Sequence, residues 1–177
     1  MEELILSKLD CAKRQIEVAI KLYFHFDDPV SIHTLTAAAY NILRDINKSR
    51  GNDPLLLKEW FVINMVKPEM RDEYRKLVNK AENFFKHADR DSEETHTFYP
   101  SQTEIMLWEA VEVYQRLTGE ITPLLHIFRG WFMMNHLNFF TEMPKIDKEK
   151  LSLGYKQAER TKFFVDMLPL AYRNYKG

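Results

Sequence analysis

Asn83 and His87 stand four residues apart in the run Glu82-Asn83-Phe84-Phe85-Lys86-His87-Ala88-Asp89-Arg90-Asp91. On a helix that spacing puts both on one face, one turn apart. His87 falls where that helix should end, a position that suits a cation. Asp89 and Asp91 follow closely enough to orient its ring. This set of side chains suits general acid–base work, with His87 as the acid or base and Asn83 and Asp89 as its catalytic companions. Lys86 or Arg90 would stabilise a developing phosphate charge. His33, followed by Thr34, Thr36 and Tyr40, is expected to face His87 across a helix bundle. His33, Lys86, Arg90 and Asp91 are therefore the candidate binding residues.

An all-α chain with Asn and a His four residues later resembles the HEPN superfamily. The resemblance rests on Asn83 and His87 and on the expected bundle, and spans about ten residues of this chain. It implies a bacterial helical domain of the toxin, defence or RNA-processing kind, dimeric, with Arg and His at the dimer cleft for metal-independent RNA cleavage. The chain departs from that pattern at Glu82, which stands where the family carries Arg. A carboxylate cannot clamp a phosphate as a guanidinium does. What the resemblance then implies is a binding or regulatory module, a homodimer without efficient nuclease activity. RNA or a nucleotide is the ligand class to test, and no cofactor is expected.

The same region supports an alternative chemistry. His87, Asp89, Asp91 and His96, with Glu104, would suit Zn, Mn or Fe in a metal-dependent hydrolase if the loop folds back over the helix end. No His-Glu-x-x-His or Glu-x-x-His pair supports it. Glu109 and Glu112 share a face of the following helix and read as an exposed acidic face. His126 and His136 are ten residues apart on another helix, off a common face, and read as packing residues. Cys11 reads as a small apolar position on the first helix.

The elements that must position these groups follow from periodicity. Ile5, Leu9, Ala12, Ile16, Ala19, Ile20 and Tyr23 form a helical stripe over residues 3 to about 26. Asp28-Pro29 starts a second helix that runs to about residue 48. A short third helix is expected over 55–64 and a fourth over 69–87. Residues 88–100 lose all periodicity and read as a long polar loop. Ser101-x-x-Glu104 is a capping-box signature for a fifth helix ending near residue 117. Thr122-Pro123 starts a sixth, apolar on most faces to about residue 140, which belongs in the middle of a bundle or at a dimer interface. A last helical region covers 148–175, with Pro169 expected to kink or end it.

The expected architecture is thus all-α, a single-domain bundle of six or seven helices over residues 1–177, with 142–177 as a C-terminal helical arm. Composition agrees. Five glycines in 177 residues fall well below the average usage of about 7%, too few for a Rossmann or phosphate-loop design. A net charge of −1 gives no overall basic field for nucleic acid or membrane. The average hides an asymmetry: residues 88–112 carry seven acids and one Arg, and the arm is basic. A single cysteine makes no internal disulfide, and the acidic start does not read as a secretory leader. A cytoplasmic protein without a membrane span is expected.

Overall fold

The computed structural model describes residues 3–25, 28–89, 92–137 and 159–175. Among them lie seven α-helices and no strand: α1 (Lys8–Phe24), α2 (Pro29–Ser49), α3 (Phe61–Met65), α4 (Arg71–Lys86), α5 (Ser101–Thr118), α6 (Pro123–Asn135) and α7 (Arg160–Asn174). A π-helical turn, Leu56–Trp60, leads into α3, and a 3₁₀ turn, Pro68–Met70, leads into α4. No helix in the described residues is long and apolar enough to cross a membrane.

Caps explain most boundaries. Ser7 accepts from Asp10 N–H while the Asp10 carboxylate accepts from Ser7 N–H, a capping box that starts α1 later than its apolar stripe suggests. Asp28 accepts from the Val30 and Ser31 amides, with Pro29 opening α2. Gly119 closes α5 at φ 74°, a left-handed cap that a side chain would disfavour. The capping box expected at Ser101 does not form: Ser101 is already helical, and Pro100 caps without a side-chain bond. Glu104 is drawn instead to Tyr23, whose hydroxyl donates to it at 2.7 Å.

The core forms where α1 packs on α2, α5 and α6, and α2 packs on α5. Ala12 and Ala19 on α1, and Ala37 and Ala39 on α2, are fully buried and let the backbones approach closely. At one end an aromatic group closes the bundle. Phe24 stacks on Phe164 at 4.8 Å between ring centres and meets Trp131 edge-on at 5.8 Å.

The apolar circumference of α6 is consumed inside this chain. Leu124, Leu125, Ile127, Phe128, Trp131 and Phe132 are all buried, so the middle-of-bundle reading holds and α6 cannot supply a broad dimer interface. The helix ends at Asn135 rather than near residue 140; the rest of that expectation, and the start of the last helical region, lie outside the described residues. Within the arm, α7 docks on α6 and α1 through Phe163, Phe164 and Met167. Pro169 does not end α7. Its missing N–H would have met the Val165 carbonyl, and Val165 lies on the exposed side of the helix.

Candidate functional site

The end of α4 is organised by Glu82. Its carboxylate is 7% exposed. Lys58 donates to Oε2 at 2.7 Å and Lys86 to Oε1 at 2.8 Å, and the Asn41 amide also donates to Oε1. Burial alone would raise the Glu82 pKa; the hydrogen bonds from Lys58 and Lys86 outweigh it and hold the group below its ordinary value. Burial pushes Lys58 down, with Glu82 opposing. The result is an ionised, desolvated pair sealed under α2 and the π turn.

The pair continues into a second carboxylate. The Lys58 ammonium lies 5.4 Å from the centre of the Tyr40 ring, and the Tyr40 hydroxyl donates to Glu109 Oε2 at 3.0 Å. Glu109 also accepts from the amides of Leu56 and Leu57, the first residues of the π turn. It therefore caps the segment that delivers Lys58. Burial raises the Glu109 pKa, against these bonds, and burial with Glu109 raises that of Tyr40. The exposed acidic face expected at Glu109 and Glu112 does not exist. Glu109 is buried, and Glu112 pairs with Arg129 at 2.8 Å.

His33 is 2% exposed. Its Nδ1 is 2.9 Å from Thr103 Oγ1, and Nε2 has no hydrogen-bond partner among the described residues. Phe98 and Phe85 meet its ring edge-on at 5.1 and 5.7 Å. Burial drives its pKa down to about 4, a nearby Glu82 opposing and Lys58, Lys86 and His96 adding to it. His33 is thus a neutral core histidine under the loop. The histidine acting on it from across that contact is His96, not the expected His87.

Ring contacts help to hold the loop after α4. His96 packs on Phe84 at 5.4 Å, and Phe98 meets Phe85 at 5.1 Å. His87 is the C-cap of α4, with extended φ −131° and ψ 136°, and its amide donates to the Asn83 carbonyl at 3.0 Å. Asn83, His87 and Asp89 are exposed. The structure joins Lys86 to the Glu82 network but does not bring His33 to His87. Arg90 and Asp91 lie outside the described residues.

Among the described residues no three His, Cys, Asp or Glu side chains converge; Asp91 of the metal alternative lies outside them. Glu104 turns away to Tyr23 and to His136, whose Nε2 is 3.2 Å from Oε1. The Trp131 indole N–H donates to the Tyr23 hydroxyl at 3.1 Å, and Arg160 lies over the Tyr23 ring at 4.5 Å. Sequence reasoning missed this second polar knot, and it missed Lys58 and Asn41. Their hydrogen-bond partners are 17 to 108 residues away in the chain, so no local spacing reports them. No family model matches the sequence, and neither the curated proteins nor the solved structures compared with it give a match.

Proposed function

We propose that this chain is a HEPN-like cytoplasmic helical binding or regulatory module without efficient RNA cleavage, and that it works as a homodimer. The observation that carries the reading is the state of Glu82. It occupies the position where the resemblance expects Arg, and it binds the nearby lysines instead of leaving them for a phosphate. Recruiting Lys58 to an RNA or nucleotide phosphate would take from a buried carboxylate its most deeply buried partner, at about 3–5 kcal/mol. His87 is left beside no committed phosphate clamp.

Self-association has a face to use, though not the one expected on α6. Trp60, Phe61, Ile63 and Met65 at α3, and Met70 and Leu77 at α4, are exposed apolar side chains, Leu77 at 68%. Exposed Glu73 lies four residues before Leu77 and exposed Lys80 three after it, on the same side of α4. A second copy laid antiparallel about a two-fold axis near Leu77 sets Glu73 of each copy against Lys80 of the other, a self-complementary arrangement.

Light scattering after size exclusion tests this. Wild type is expected as a dimer at micromolar concentration. Leu77→Glu is expected to be monomeric and still folded, because Leu77 is already solvated in one copy. Glu73→Lys should weaken the dimer and Lys80→Glu should restore it. A wild-type monomer at 100 μM, or RNA cleavage that His87→Ala abolishes, would overturn the reading.

A further inference from the structure

A cleft of about 680 Å³ lies between α6 and α7, away from the α4 end. Ile127, Phe163, Met167 and Leu170 give it apolar walls. Gly130 leaves a gap in the α6 side: a methyl group built there meets nothing within 4 Å. Size and lining fall within the range of small-molecule sites.

One end is polar and already arranged. Glu120 lines the cleft. Lys13 donates to its Oε1 at 2.6 Å and Tyr175 to the same oxygen at 3.1 Å, while Tyr114 donates to Oε2 at 2.6 Å. The bonds from Lys13 and Tyr114 hold Glu120 below its ordinary pKa, so it is ionised at neutral pH. A carboxylate has about four acceptor positions, and three donors leave Oε2 with room for one more. Among the described lining residues no Lys or Arg is present. The Lys13 ammonium is engaged on Oε1, and the open position on Oε2 is an acceptor, which suits a donor such as an ammonium rather than a ligand carboxylate or phosphate.

We propose that this cleft binds a small amphiphilic amine, an apolar body of roughly ten to twenty non-hydrogen atoms whose ammonium completes the Glu120 cradle. The body replaces water along Ile127, Phe163 and Met167 and fills the space above Gly130. The ammonium takes the remaining Oε2 position; exposed His126 and Asn174 also line the cleft. The site depends neither on the α4 reading nor on self-association.

The test uses 4-phenylbutylamine, 4-phenylbutanol and 4-phenylbutyrate as probes, titrated into the full chain and followed through the amide resonances of Gly119 and Gly130. The amine is expected to shift both saturably with a Kd of about 1 mM or tighter. The butyrate should bind at least tenfold more weakly than the amine, with the alcohol between them. Gly130→Leu, whose Cβ meets nothing within 4 Å, extends into the cleft and should abolish saturable binding while the melting temperature holds or rises; Ala171→Leu, on the facing wall, is the second filling variant. Glu120→Gln should erase the preference for amine over alcohol. No saturable shift in wild type, undiminished binding in both filling variants, or butyrate binding as tightly as the amine would each overturn the proposal.

Discussion

Glu82 and Glu120 are built alike and placed differently. Each carboxylate accepts three side-chain donors, lysines and an amide for Glu82, a lysine and two tyrosines for Glu120. Each is held ionised by them. Glu82 is sealed beneath α2 and the π turn, whereas the side chains of Lys13 and Glu120 are each about 30% exposed at the rim of a cleft. Depth decides what the same chemistry is for. In the buried cradle every bond offsets desolvation, and removing one leaves a charge in low dielectric. In the rim cradle water stands ready, so the bonds orient the carboxylate without tying the fold to it.

The sharpest way to break this contrast is Lys58→Met. Glu82 keeps Lys86 and Asn41 but loses its most deeply buried partner, and unfolding in urea should show a loss of about 3–5 kcal/mol. Adding Glu82→Leu should recover most of it, because the stranded charge disappears with its partner. If Lys58→Met cost under about 1 kcal/mol, the two cradles would be energetically alike and burial would not be the deciding difference.

Acid provides the next largest effect. His33 has a folded pKa of about 4 against an ordinary value of 6.5. A lowered histidine value means the unfolded chain takes up its proton first as pH falls. Stability is therefore undiminished above about pH 6.5, declines between 6.5 and 4, and levels off below, a loss of about 3 kcal/mol from this group. Glu82, whose pKa is lowered, takes effect further down, as pH falls past its ordinary value of 4.5. Stability measured across this range should show a steeper slope between pH 6.5 and 4 in wild type than in His33→Leu. Equal slopes would mean that His33 is not held neutral beneath Phe85 and Phe98.

The two regions also differ in how far they can be read from residues in order. The helices around both follow from local pattern: apolar stripes, Asp28-Pro29, Thr122-Pro123 and the glycine after α5 all act within a turn or two of where they sit. The run around His87 drew attention because its polar groups are close in sequence. Tertiary packing reassigned them: Glu82 went to Lys58 of the π turn, His96 to the Phe84 ring, and His33 to Thr103. The Ser101–Glu104 pattern failed for the same reason, since Tyr23 competes for Glu104 and wins from another helix. The α6–α7 cleft leaves no local mark at all. Glu120 and Tyr175 are 55 residues apart, and Gly130 looks like any helix-weakening glycine until the space above it is seen.

The smallest effect tests the rim. Lys13→Met removes one of the two 2.6 Å bonds to Glu120, yet Tyr114 and Tyr175 remain and the partially exposed carboxylate can be hydrated. The expected loss is under about 1 kcal/mol, several-fold less than for Lys58→Met. Salt separates the cradles further. At 1 M NaCl the Debye length falls to about 3 Å, so the Lys13 contribution should shrink toward zero while that of Lys58, screened by protein rather than by ions, persists. A Lys13→Met loss that matched Lys58→Met and ignored salt would show that the rim carboxylate is structural. The spare acceptor position on Oε2 would then reflect a rigid part of the fold and not an opening kept for a ligand.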